Sequence, residues 1–132
     1  MTAMDMQIVF PGGKRVQSIY KGFKVETDQP VNEGGEGTAP EPFDLFLSSI
    51  GTCAGVYVIY FCEARGISTE GIKMDLAVER NEKNHLMEKI VIRLDLPDDF
   101  PLKYKKAVVK AAEMCTVKRN ILNPPDIQVR AV

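Results

Sequence analysis

Residues 45–62 read LFLSSIGTCAGVYVIYFC, a stretch without one charged side chain, and near its middle Cys53 is framed by Gly51 and Gly55. Pro42 suits the first turn of a helix, Asp44 lies near its positive end, and Gly66 supplies a stop, so a helix is expected over about residues 42–64. A bilayer span needs roughly 20 apolar residues, and the run is nearly that long. Against a span, Ser48, Ser49, Gly51 and Thr52 cluster inside it, Asp44 and Glu63 bracket it, and Arg65 is the only basic residue close to either end. A soluble helix that is apolar all round must be surrounded by protein, and a chain of 132 residues can hardly surround one by itself. A second copy of the chain is the natural cover. Each helical glycine costs about 1 kcal/mol relative to alanine, so Gly51 and Gly55 call for a reason: room for the thiol between them, or close packing of another element.

Outward from this helix, residues 5–10 and 14–26 read as short strands joined by Pro11-Gly12-Gly13. The Gly- and Pro-rich TDQPVNEGGEGTAPEP then forms a loop that feeds the helix, with Glu33, Glu36 and Glu41 as solvated acids. Ile72, Met74, Leu76 and Val78 alternate with polar or small residues, as do Ile90, Ile92, Leu94 and Leu96, so an antiparallel hairpin is expected around the polar RNEKNH. A second helix is expected over about residues 101–119, with Val108, Ala111, Ala112 and Cys115 on one apolar stripe. The alternation of Ile127, Val129 and Ala131 predicts a closing strand. The order of elements makes residues 1–132 a single α+β domain.

The 17 basic and 18 acidic residues nearly cancel, so no net field draws the chain to nucleic acid or an anionic membrane. Lys103, Lys105, Lys106 and Lys110 form the wet side of the second helix, without the aromatic platform that nucleic acid would require. The amino terminus MTAMDMQIVFPGGKR has no basic region ahead of an apolar core, so a secretory signal is not expected and a cytoplasmic location is. There the three cysteines would be reduced, and their odd count and spacing argue against a disulfide scaffold or a zinc site. No metal or cofactor is expected. His85 reads as a solvated turn residue, and GGEG lacks the lysine and hydroxyl of a nucleotide loop.

On the first helix, Ile50, Cys53, Ala54, Tyr57 and Phe61 share a side. Cys62, nine residues beyond Cys53, lies about 180° around and reads as a small buried hydrophobe. The stripe carrying Cys115 could face the one carrying Cys53. A thiol pair on two buried helices suits a peroxidatic and a resolving cysteine, with an apolar surround favouring organic hydroperoxides. The alternative is a dimer that binds a small apolar or thiol-containing ligand, or one that is purely regulatory, with the cysteines merely lining its cavity.

The stretch GEGTAPEPFDLFLSSIGTCAGVYVIYFCEARGI, followed after the hairpin by AAEMCTVKRNIL, resembles the OsmC/Ohr family of osmotically induced and organic hydroperoxide resistance proteins. The resemblance implies an intertwined α+β homodimer, with antiparallel sheets from both chains wrapped around two long central helices per chain. It implies that Cys53 attacks an organic hydroperoxide, that Cys115 resolves the product to a disulfide, and that an external dithiol reduces it. In the better-known peroxidases of the family, a glutamate stands where this chain has Phe43, and it pairs with an upstream arginine. Here the nearest acid is Glu41, no basic residue occupies positions 25–64, and Arg15 is the candidate cation, with Lys118, Arg119 or a residue of the partner chain as others. These departures place the chain nearer the OsmC-like branch than the peroxidases proper. The resemblance also suggests that the helix thins to GTCAG where the thiol needs room.

Overall fold

The computed structural model describes residues 5–132; residues 1–4, which entered the argument against a signal sequence, lie outside it. The chain divides into two compact units, one up to Ser48 and one from Ser49 to Val132.

The first unit carries an antiparallel sheet of β1 (Gln7–Gly12), β2 (Arg15–Tyr20) and β3 (Phe23–Thr27), in that order. The first turn lies one residue later than Pro11-Gly12-Gly13 suggested. Pro11 and Gly12 belong to β1, where the pairing slips between Val9 and Gly12. Proline is tolerated there because β1 is an edge strand. Residues 14–26 are two strands rather than one, since Lys21 and Gly22 both have positive φ (52° and 78°) and close a two-residue hairpin between the paired Tyr20 and Phe23.

The loop after β3 is not merely a solvated acidic stretch. Its buried Asp28 accepts hydrogen bonds from Gln29 N (2.7 Å), Thr38 N (3.1 Å) and Thr38 Oγ1 (2.6 Å), and Asp28 N donates to Pro40 O (3.1 Å). These bonds, the Thr38 hydroxyl first, hold the Asp28 carboxyl down at about 2. Gly35 fits here because a Cβ would fall 2.0 Å from the Gln29 carbonyl oxygen. A side chain at that point is sterically impossible without moving the backbone.

Helix α1 spans Pro42–Ala64, as the sequence predicts. In the second unit, β4 (Lys73–Arg80) and β5 (Met87–Asp95) pair so that Met74 lies opposite Leu94, Leu76 opposite Ile92 and Val78 opposite Ile90. The alternation seen in the sequence therefore becomes one apolar face. Met74, Ile92 and Leu94 pack on a core of Ala54, Val58, Phe61, Cys62, Phe100, Val108 and Ala112. Arg65 closes α1 by donating to Phe61 O (3.1 Å) while its guanidinium lies 3.7 Å from the Phe61 ring centroid. On the wet face of the hairpin, Arg93 pairs with Asp75 at 2.8 Å, an exposed contact of small energetic weight.

The second helix is not one long rod. Leu102–Tyr104 form a 3-10 turn, α2 runs over Lys105–Glu113, and α3 over Thr116–Leu122. The break falls at Cys115, whose ψ of 149° is extended and cannot continue a helix. Its sulfur instead accepts from Lys118 N at 3.3 Å, taking the donor that an unbroken helix would give to the carbonyl four residues back. The expected strand at Ile127, Val129 and Ala131 is also not formed, and Ile127 and Val129 are 82% and 96% exposed. An alternating segment becomes a strand only when a sheet edge pairs with it.

Candidate functional site

All three cysteines lie in the second unit as free thiols. Cys62 is wholly buried, and burial pushes its thiol up, with Arg65 only partly opposing. As expected from its place opposite Cys53, it is an inert core group. Cys53 is half-buried on the flank of α1, and Cys115 is buried at the start of α3.

A small hydrogen-bonded set joins the two thiol neighbourhoods. Tyr57, one turn beyond Cys53, places its hydroxyl 2.8 Å from Thr116 Oγ1, the residue after Cys115. Arg119 Nη2 donates to both oxygens, at 3.2 Å to Tyr57 and 3.3 Å to Thr116. Tyr57 shares the Cys53 side of α1, and its hydroxyl would need a partner if buried. Half-buried, it finds two, and no local pattern could have announced partners this far along the chain.

Of the two reasons open for the glycines, room for the thiol and packing of another element, the structure favours the second. Positions two apart on a helix point about 200° away from one another, so Gly51 and Gly55 cannot open space beside Cys53. A Cβ at Gly51 would meet Leu76 Cδ1 at 3.7 Å, and one at Gly55 would meet Met74 Sδ at 3.8 Å. Both glycines therefore face the apolar side of β4. The thinning at GTCAG thus faces the hairpin, at distances where a methyl would only touch, and leaves the thiol's own flank untouched.

Arg15 and Glu41 lie in the first unit and form no ion pair with each other. Arg15 Nε donates to Gly12 O (3.3 Å), and the residue lines a polar hollow of about 160 Å³ with Gln17, Glu26, Thr27 and Thr38. Glu41 N donates to Asp44 Oδ2 (3.1 Å), which caps the start of α1. Desolvation raises the Glu41 carboxyl above its usual range, and the neighbouring charges of Asp44 and Glu33 add to this. Turned so that its nitrogen faces the acids, Gln29 donates to Glu41 Oε1 (3.2 Å) and Glu33 Oε2 (3.0 Å). Glu41 thus sits among acids and an amide. His85 sits in the β4–β5 turn with φ 60°, and among the described residues no cluster of three or more His, Cys, Asp or Glu could hold a metal.

Residues 35–130, which contain both Cys53 and Cys115, match the family described as OsmC-like protein. The chain belongs to the OsmC family. Solved structures of OsmC and Ohr proteins share its fold. An OsmC-like protein from Mycoplasma pneumoniae is 13% identical with a TM-score of 0.71, over 93% of this chain and 89% of that one. A Psychrobacter arcticus protein ascribed to osmotic stress and detoxification is 20% identical with a TM-score of 0.76, over 91% and 90%. The organic hydroperoxide resistance protein OhrB of Bacillus subtilis is 17% identical with a TM-score of 0.55, over 92% and 93%. Comparison with curated protein sequences returned no match. The fold class of the OsmC family, α+β with antiparallel sheets, is the one this chain adopts, with the second long helix broken at Cys115.

Proposed function

We propose that this OsmC protein is a thiol-dependent reductase of organic hydroperoxides that works as a cytoplasmic homodimer. The Cys53 thiolate attacks the peroxide oxygen, the O–O bond breaks, and the alkoxide takes a proton and leaves as alcohol. The resulting Cys53 sulfenic acid condenses with the Cys115 thiol, releasing water and forming a disulfide. An external dithiol then returns both thiols and leaves as its own disulfide. The observation that carries this proposal is the hydrogen bond between Tyr57 and Thr116, because it ties the helix turn that follows Cys53 to the residue that follows Cys115. The names of the structural relatives, OhrB among them, favour the same substrate class.

What a single chain leaves uncovered supports dimerisation. Along α1 only one side is buried, while Val56, Ile59 and Tyr60 on the other are 38%, 41% and 59% exposed. Among the described residues up to Ser48, no hydrophobic side chain is buried, so the β1-β2-β3 sheet builds no core of its own. A second copy of the chain is the cover that each of these surfaces calls for.

The test is turnover. Purified protein with cumene hydroperoxide and dithiothreitol should consume peroxide, Cys53→Ser should abolish this, and Cys62→Ala should retain it. Equal peroxide consumption by wild type and Cys53→Ser would overturn the proposal. A non-catalytic ligand-binding dimer is the second possibility, favoured by the absence of an ion pair between Arg15 and Glu41. Retention of a small apolar ligand equally by both proteins, with no peroxide consumed, would establish it.

A further inference from the structure

Three side chains at the junction of α1 and α3 form a closed set. Tyr57 Oη and Thr116 Oγ1 are 2.8 Å apart, and Arg119 Nη2 reaches both. Arginine only donates, so each oxygen accepts one bond from the guanidinium and the two hydroxyls share one further proton between them. All three links are thereby satisfied at once. The guanidinium suits this task because its donors are fixed in a planar fork, whereas an ammonium is a point charge on a flexible stem.

The set sits where register between the two thiols is decided. Tyr57 is one turn from Cys53 on the same flank of α1, and side chains on a helix lean back over the preceding turn. Thr116 is the first residue of α3, directly after Cys115, whose sulfur is itself held by Lys118 N. Residues 114 and 115 interrupt the helix, so α3 is joined to α2 only by a non-helical step at Cys115. Without a tie to α1, the Cys115 turn would be positioned by that step alone.

We infer that Arg119, acting through Tyr57 and Thr116, is a positioning residue that holds the Cys115 turn against the Cys53 turn of α1 and thereby sets how fast the sulfenic acid is captured as a disulfide. This rests on the thiol-peroxidase function proposed above. The step concerned is condensation of Cys53–SOH with Cys115–SH to the disulfide and water, with no further oxidant. Loss of the tie should leave the sulfenic acid exposed for longer to trapping and to a second peroxide.

The experiment is a competition. Wild type, Tyr57→Phe, Arg119→Gln and Arg119→Lys each receive one equivalent of cumene hydroperoxide in the presence of dimedone, and intact-mass spectrometry reads the ratio of dimedone adduct to disulfide. A lost hydrogen-bonded tie of this kind should raise that ratio by about fivefold to tenfold in Tyr57→Phe and Arg119→Gln. Arg119→Lys should resemble Arg119→Gln if the fork is what matters. Circular dichroism and thermal melting of each variant separate this effect from loss of fold, since a merely structural role lowers the melting point without moving the ratio. Ratios equal to wild type in folded variants would overturn the inference while leaving the peroxidase function standing. Failure of wild type to form either product would overturn the function itself.

Discussion

The Cys115 sulfur accepts the backbone N–H of Lys118 at 3.3 Å, so the thiol proposed to resolve the sulfenic acid is also the amino-terminal cap of α3. A single side chain thus caps a helix and carries a thiol. Caps satisfy a donor that the first turn otherwise leaves orphaned.

Replacing Cys115 therefore separates its two roles. Serine keeps an acceptor for Lys118 N, whereas alanine removes it, at a typical cost of about 1 kcal/mol for a lost cap. Urea unfolding should place Cys115→Ala clearly below Cys115→Ser in stability, although neither can form the disulfide. Equal stability of the two would mean that the cap has no energetic weight.

Gly51→Ala and Gly55→Ala should stabilise the protein, by up to about 1 kcal/mol each, because alanine removes the backbone-entropy penalty of a helical glycine. The added methyls would meet Leu76 and Met74 at 3.7 and 3.8 Å, ordinary contact distances. Thermal melting measures the outcome. A destabilisation by either change would show that a closer neighbour than β4 occupies that side of α1.

The acid limb of stability should carry the signature of Asp28. Its carboxyl titrates at about 2 in the folded chain, below the ordinary 3.8. The stabilisation is present above the ordinary value and is lost as pH falls from about 4 toward 2. Asp28→Asn should flatten that part of a plot of urea midpoint against pH. Glu41 has the opposite sign: its raised carboxyl binds its proton more tightly when folded, so the charged form opposes folding at neutral pH. Glu41→Gln should accordingly raise the midpoint at pH 7, and a fall there would contradict this account of its surroundings.

Much of this was legible in the sequence. Pro42, Asp44 and Gly66 marked the limits of α1, and period-two alternation identified the facing pairs of β4 and β5. The turn at Lys21-Gly22 had a readable signal, a glycine between two aromatic, strand-like runs. The break at Cys115 had none, since no glycine or proline stands nearby and cysteine is not a customary cap. Ile127, Val129 and Ala131 had the right period, but period says nothing about whether an edge is available to pair. The triad of Tyr57, Thr116 and Arg119 joins positions brought together only by tertiary packing, and of the two reasons open for Gly51 and Gly55 the room for a thiol drops out because neighbours in sequence do not share a helix face.

A charge on the uncovered side of α1 should break the proposed dimer. Ile59→Lys should leave the far-ultraviolet spectrum unchanged while light scattering after size-exclusion chromatography shifts from twice the chain mass to one. Wild type eluting as a monomer would contradict a second copy as the cover for Val56, Ile59 and Tyr60.

The most direct test is a count of thiols. The reduced protein has three free cysteines, at positions 53, 62 and 115. After one equivalent of cumene hydroperoxide, alkylation under denaturing conditions should label Cys62 alone, and peptide mapping should recover Cys53 and Cys115 joined within one chain. Three labelled cysteines, or a disulfide that includes Cys62, would contradict the two-cysteine mechanism.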